Sequence, residues 1–250
     1  MTSDFIVIGG GLVGAAVSYG LLKLGATVTI LDEGDTAFRA SRGNFGLVWV
    51  QSKGDGMHEY ATWSRESSDL WPNFAELLVE ETGINVGHHR PGGLELCLDE
   101  AEYMDFENSI NRMHNQPNVA ENGRRMISGD EVRRMEPSVG PEVVGASYCP
   151  YDGIVNPLYT LRALHQKCIE SGLIYRPDHE VKKIIPQIRG FKIITNEGYF
   201  LSDKVILAAG NGNKALGEFV GLDIPTGPER GHIVVTERTS PLFNYVLGAI

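Results

Sequence analysis

The sequence predicts an α/β protein: a Rossmann-like domain on a parallel sheet, interleaved with a smaller α+β module whose sheet is mainly antiparallel. Three observations carry this expectation. The first 32 residues hold an apolar run, a glycine-rich turn, a helix of small aliphatic residues and a second apolar run, which together make a βαβ unit. Near residue 84 the pattern changes to short strands around charged helices, and it returns near 150. Strand-like runs then recur between 173 and 208. The expected domains are therefore residues 1–85 with 150–230, and residues 86–149 with 231–250.

Each element has a local reason. Phe5-Ile6-Val7-Ile8 is apolar throughout, as a strand buried on both faces requires. The residues from Gly11 to Leu24 are small or aliphatic and Gly25 follows, placed to end a helix in the left-handed conformation. Thr27 to Leu31 reads as the second strand. Arg39 to Gly56 reads as a long loop whose Phe45–Val50 segment dips into the protein. A helix is expected from His58 to Thr82, with a kink or break at Pro72. Strands at Gly93–Leu98 and Val143–Tyr148 enclose an acidic helix near Asp99 and a short one capped by Ser128, with Glu131 three residues on. Asn156-Pro157 supplies an N-cap and a first-turn proline for a helix ending at Gly172. Strands follow at Leu173–Tyr175, Glu180–Ile185, Phe191–Thr195 and Lys204–Ala208, and then at Ile233–Thr236 and Asn244–Ile250.

The chain has 250 residues, 42% hydrophobic and 22% charged, which excludes disordered, collagen-like and coiled-coil classes. A net charge of −10 argues against nucleic acid or an anionic membrane as partner and favours small molecules. Cys97, Cys149 and Cys168 form no CxxC pair, so a reducing compartment is expected. The N-terminus lacks the pattern of a signal peptide and no apolar run approaches membrane-spanning length. The expectation is a soluble, cytoplasmic protein.

Gly9-Gly10-Gly11-Leu12-Val13-Gly14 fits GxGxxG directly after a strand and opens a helix. Gly9 permits the tight turn, Gly11 lets backbone approach a pyrophosphate, and Gly14 lets the helix pack on the strand, while the helix terminus at Leu12 and Val13 offers N–H groups. Asp32 stands 23 residues after Gly9 at the end of the second strand, where a carboxylate can accept both ribose hydroxyls; Glu33 is the alternative. The carboxylate disfavours a 2′-phosphate. Such a turn serves NAD and FAD alike, and two later features favour FAD. Ser41-Arg42-Gly43-Asn44-Phe45-Gly46 stands where a simple NAD domain would continue with helix and strand. Lys204 to Asn211 is a buried strand ending in a small-residue turn, which lets backbone approach a second part of an extended cofactor.

The chain resembles the FAD-dependent D-amino-acid oxidase and glycine oxidase family, which includes sarcosine oxidases and the opine and hydroxyproline dehydrogenase subunits. The resemblance covers nearly all of the chain. It rests on DFIVIGGGLVGAA, TILDE, ASRGNFG, RPGGLEL, DGIVNPLYTLRALHQKC, VILAAGN and IPTGPERGHIVVTE, in this order. It implies dehydrogenation of a small amino or imino acid by hydride transfer from the amine-bearing carbon to flavin N5. It places the diphosphate at Gly9, Gly11 and Gly14, and the adenosine ribose at Asp32. Ser41 and Arg42 would lie on the pyrophosphate side, Asn44, Phe45, Gly46 and Leu47 at the flavin face, Val181 at the adenine, and Ala209-Gly210 at the middle of the cofactor. No histidine or cysteine occupies the Ser41–Leu47 loop, so the flavin is expected to bind noncovalently. Members of the family run on well past the point matching Ile250, so residues 1–250 alone are expected to associate and to lack turnover.

The catalytic group is not identified by the sequence. Weak candidates are His232 and Arg230, where the chain is expected to cross back to the substrate module, and Trp49 and Gln51, just past the flavin-face loop. His88-His89 on a strand would point to opposite faces, so no metal site is expected there. The leading reading is a flavoenzyme acting on a small amino acid. An auxiliary flavin-binding subunit of a larger complex, and an unrelated NAD-dependent dehydrogenase, are the alternatives.

Overall fold

The computed structural model describes residues 2–34, 39–117, 121 and 123–249. The opening βαβ unit is β1 (Thr2–Ile8), α1 (Leu12–Lys23) and β2 (Val28–Leu31). A two-residue strand, β3 (Leu47–Val48), precedes the long helix α2 (His58–Thr82). Next come β4 (Gly93–Cys97), α3 (Glu100–His114), β5 (Arg125–Ser128), α4 (Gly129–Met135) and β6 (Gly145–Cys149). The Ser128 cap behaves as expected, accepting from the Glu131 N–H at 3.3 Å, and Asp99 caps α3 in the same way, accepting from the Glu102 N–H at 2.9 Å. Beyond them lie β7 (Gly153–Ile154), α5 (Pro157–Glu170), β8 (Ile174–Arg176) and β9 (Val181–Pro186). The chain continues through β10 (Phe191–Thr195), β11 (Gly198–Leu207), α6 (Asn213–Glu218) and β12 (Val246–Ala249).

These elements form two compact units, Met1–Asn44 with Leu78–Val86 and Pro157–Ile233, and Phe45–Leu77 with Gly87–Asn156 and Val234–Ile250. The sequence expectation kept 45–77 in the first domain. The structure groups it with the second unit because β3 pairs with β7, Leu47 opposite Ile154 and Val48 opposite Gly153.

The first unit is built on a six-stranded sheet ordered β8-β2-β1-β11-β10-β9. Neighbouring strands from β8 to β11 run parallel, and β10 and β9 extend the sheet antiparallel. Its core gathers Ile6, Ile8, Leu31, Ile184, Ile193 and Leu216; burying each such side chain contributes about 1.5–3 kcal/mol. The second unit carries a four-stranded sheet ordered β12-β4-β6-β5, antiparallel except for the β12–β4 pair. Leu94, Ile127, Val132, Val143 and Ala146 form its core.

Of the kink or break expected at Pro72, the break does not occur: helix α2 is continuous through it. A proline in a helix leaves the carbonyl four residues earlier without its N–H partner, and here the Arg90 guanidinium donates to the Ser68 carbonyl at 3.2 Å. The Ile233–Thr236 segment forms no strand, and Val234 and Val235 are exposed. Among the described residues, no helix is long and apolar enough to cross a membrane.

Candidate functional site

The glycine-rich turn is a close-packed corner. Gly9, at φ +107°, donates its N–H to the Leu31 carbonyl at 2.8 Å. A Cβ added to Gly9 would stand 2.4 Å from the Ala208 carbonyl oxygen, and one on Gly14 would stand 1.9 Å from the Gly9 carbonyl oxygen. Both positions require glycine. Gly11 is the N-cap of α1 and has no side chain with which to cap it, so the work passes to Ser41, whose Oγ accepts from the Leu12 N–H at 2.9 Å. A Cβ on Gly11 would stand 2.6 Å from that Oγ and displace the cap. Leu12 and Val13 form the first turn of the helix, where backbone N–H groups and the helix dipole favour an anion.

Asp32 closes this corner. Buried at the end of β2, its carboxylate accepts from the Gly10 N–H at 2.6 Å and the Gly34 N–H at 3.0 Å, and pairs with Arg39 at 3.2 Å. Glu33 is exposed and pairs with the other terminal nitrogen of Arg39 at 3.2 Å. His165 Nε2 donates to the Gly10 carbonyl at 2.7 Å, with the Tyr175 ring set edge-on at 5.0 Å. The corner opens on a cleft of about 470 Å³ bounded by Gly10, Gly11, Asp32, Arg39, Ser41, Arg42, His165 and Tyr175. Arg39 Nε is buried with no hydrogen-bond partner among the described residues. A cleft with a spare cationic donor, a buried carboxylate and a helix terminus fits a dinucleotide diphosphate and its ribose.

Sequence reasoning missed Arg39, His165 and Tyr175. Only a polar residue on the apolar stripe of α5 (Leu158, Leu161, His165) could have signalled His165.

The remaining predicted positions fall in several places. Asn44, in the first unit, donates from Nδ2 to the Ala40 carbonyl at 3.0 Å. Phe45 and Leu47, in the second unit, are exposed, while Gly46 is buried at φ +75° and its carbonyl accepts from the Val155 N–H at 2.8 Å. Val181 packs on the first unit's core. The Ala209 N–H donates to Asn213 Oδ1 at 2.8 Å, and Gly210, at φ +56°, starts the turn into α6. Arg230 and His232 lie on an exposed irregular segment and line no described cleft.

Trp49 and Gln51 differ from each other. Trp49 lines an aromatic cleft of about 300 Å³ with Tyr60, Trp63 and Trp71. Gln51 is fully buried: its Nε2 donates to Asp152 Oδ2 at 2.7 Å and its Oε1 accepts from Ser147 Oγ at 2.9 Å. Ser147 accepts in turn from Arg124 Nε at 2.7 Å, and Arg124 pairs with Glu95 at 3.4 Å. Burial pushes the Asp152 carboxyl up to about 6, opposed by the Val50 and Gln51 donors, and pushes Glu95 above and Arg124 below their usual values. Burial also pushes the Cys97 and Cys168 thiols up to about 11 and Cys149 up to about 12, so none is a thiolate nucleophile near neutral pH.

A pH dependence follows from Asp152. Its folded pKa of about 6 lies above the usual 3.8, so the folded state binds the extra proton between those values. The stabilisation is complete below the lower value and is lost as pH rises through the upper one. Relative to Asp152→Asn, the native protein should lose up to roughly 3 kcal/mol of stability across this window. Urea unfolding midpoints of both proteins from pH 4 to 7 check this; a constant difference would refute it.

Comparison with known proteins agrees with the geometry. An opine oxidase subunit from Agrobacterium tumefaciens (strain Ach5) is 39% identical over 237 residues, covering 94% of this chain and 64% of that protein. Glycine oxidase of Geobacillus kaustophilus (strain HTA426) is 29% identical over 240 residues, covering 96% and 63%. The crystal structure of glycine oxidase from Geobacillus kaustophilus superposes with a TM-score of 0.80 at 26% identity, over 99% of this chain and 66% of that one. The chain thus spans a little under two thirds of these two curated relatives. The match to the family described as FAD dependent oxidoreductase runs over residues 4–247, which sets the NAD alternative aside: the chain belongs to the DAO family of FAD dependent oxidoreductases.

Proposed function

We propose that this protein is the flavin-carrying part of an enzyme that dehydrogenates a small amino or imino acid, opines included, and that it works with other subunits. The observation that carries the reading is the Gly9–Gly14 corner locked to Asp32 through the 2.6 Å Gly10 bond, in a chain of a family of FAD dependent oxidoreductases. The similarity to a protein that is itself one subunit of an opine oxidase supports the substrate class and the multi-subunit organisation. Gly9, Gly11, Gly14 and Asp32 would hold FAD, which would supply the acceptor for a hydride from the substrate carbon that bears nitrogen.

The chain's own residues supply binding and orientation. Gly9, Gly11 and Gly14 let backbone approach the diphosphate, the Leu12 and Val13 turn gives it the helix terminus, and Ser41, Arg42 and Arg39 add donors. Asp32 takes the ribose hydroxyls. Asn44 to Leu47 border the flavin, Val181 the adenine, and Ala209-Gly210 the middle of the cofactor. With no histidine or cysteine between Ser41 and Leu47, attachment is noncovalent, and acid precipitation should release all of the flavin.

Two measurements test this. Asp32→Ala removes charge-assisted hydrogen bonds worth roughly 1.5–3 kcal/mol, so FAD affinity measured by fluorescence titration should fall about 10- to 100-fold; unchanged affinity removes Asp32 from the site. Anaerobic addition of glycine, sarcosine, proline, D-amino acids and opines should bleach the flavin absorbance for at least one substrate. Bleaching only with partner subunits present would make the chain auxiliary, and no bleaching under either condition would end the amino-acid reading.

A further inference from the structure

The buried polar chain in the second unit has a single direction. Arg124 donates to Ser147, Ser147 donates to Gln51 Oε1, and Gln51 Nε2 donates to Asp152. The last acceptor then holds backbone, because Asp152 Oδ1 accepts from the Val50 N–H at 2.5 Å and the Gln51 N–H at 3.3 Å. The same DGIV segment grips the other end of the loop through the β3–β7 pairing and the Val155 to Gly46 bond. Residues 46–51 are therefore held at both ends by residues 152–155, and Trp49 lies between.

Trp49 has its position dictated from two sides. A Cβ added to Gly93 would stand 2.7 Å from the Trp49 ring and 2.8 Å from Asp152 Oδ2. The absence of a side chain at Gly93 is what lets the indole and the carboxylate share this space. The other side of Trp49 borders the aromatic cleft.

We propose that Asp152, acting with Gln51, is the positioning residue that sets the Trp49 indole at the edge of that cleft. Its consequence for catalysis rests on the reading that the loop after Asn44 borders flavin and substrate. Direction matters because an amide in place of the carboxylate faces Gln51 Nε2 donor to donor, and turning the Gln51 amide over to relieve this takes Oε1 away from the Ser147 hydroxyl that donates to it. A reversed pair restores every bond: in the double variant Asp152→Asn with Gln51→Glu, the amide oxygen at position 152 still accepts from the two backbone N–H groups. The amide nitrogen there donates to the new carboxylate at position 51, whose second oxygen still accepts from Ser147. The net charge is unchanged.

The experiment uses the FAD-loaded protein with Trp63→Phe and Trp71→Phe, so that emission comes from Trp49, the remaining one of the three tryptophans. Acrylamide quenching of Trp49 should rise several-fold in Asp152→Asn and in Gln51→Glu, and return to the starting value in the double variant. Unchanged quenching in both single variants, or a double variant no better than either, overturns the proposal. If a single variant fails to fold, the double variant decides alone: folded with native quenching supports the proposal, and unfolded or fully quenchable refutes it. Steady-state kinetics on the same proteins, assembled with the partner subunits that turnover requires, test the underlying reading separately. With the loop at the substrate, kcat/KM falls about 10- to 100-fold in the single variants and recovers in the double. Altered quenching with unchanged kcat/KM keeps Asp152 as the positioner of Trp49 and removes the loop from the substrate site.

Discussion

Replacing Gly14 by alanine is expected to yield a protein without flavin and with a depressed melting temperature. The added Cβ would lie 1.9 Å from the Gly9 carbonyl oxygen and 3.3 Å from a Val7 methyl. The nearer obstacle is backbone, so rotamer changes cannot relieve it, and α1 must lift off β1. Overpacking of this kind costs about 1–3 kcal/mol, and lifting the helix also moves its N-terminus away from the corner that would hold the diphosphate. A control lies in the same helix. A Cβ at Gly20 meets nothing within 4 Å, so Gly20→Ala should gain up to about 1 kcal/mol of helix propensity and keep its flavin. Absorbance near the flavin maximum and thermal melts compare the two; a Gly14→Ala protein with full flavin content would show that the turn tolerates separation from the helix.

The contrast between these glycines shows what the sequence could reveal. Gly9, Gly11, Gly14 and Asp32 were legible because strand, turn, helix and acid follow one another within one βαβ unit, and local spacing determines what they meet. The cap at Ser128 was legible for the same reason. Gln51 was not. Its neighbours Ser147 and Asp152 lie about a hundred residues away in sequence, and nothing near position 51 distinguishes a buried amide from a pocket-lining one. The continuity of α2 through Pro72 was hidden in the same manner, since the group that donates to the Ser68 carbonyl comes from Arg90. Ile233–Thr236 has the composition of a strand, but a strand needs a neighbour to pair with, and composition does not supply one. Ser41 was placed at the cofactor by resemblance, while its observed partner, the Leu12 N–H, became visible only in three dimensions.

Arg124 is expected to give the largest loss of stability among single side-chain changes in the second unit. Its side chain is 1% exposed, and it donates to Ser147 and Ser109 at 2.7 and 3.2 Å while pairing with Glu95 at 3.4 Å. Arg124→Met keeps much of the volume and removes the charge. It leaves the partly buried Glu95 carboxylate without its ion-pair partner and with only the weaker attraction of Lys53, a loss of up to about 3–5 kcal/mol for a broken buried pair, or up to roughly 6–20 °C in melting temperature for a chain of this size. The loss should depend on pH. Burial already holds Glu95 above its usual carboxylate range with Arg124 lowering it, so without the guanidinium the acid stays protonated to higher pH. A group with a raised folded pKa stabilises at low pH and loses that contribution as pH rises, so Arg124→Met should be closer to the native protein at pH 5 than at pH 8. Adding Glu95→Gln removes the stranded charge and should recover more than half of the loss at pH 8, because replacing a whole buried pair costs far less than breaking one. Urea and thermal unfolding of the two variants at both pH values decide the matter. A single variant within about 1 kcal/mol of the native protein at pH 8, or a double variant no more stable than the single, would show that Glu95 is solvated and the pair weak.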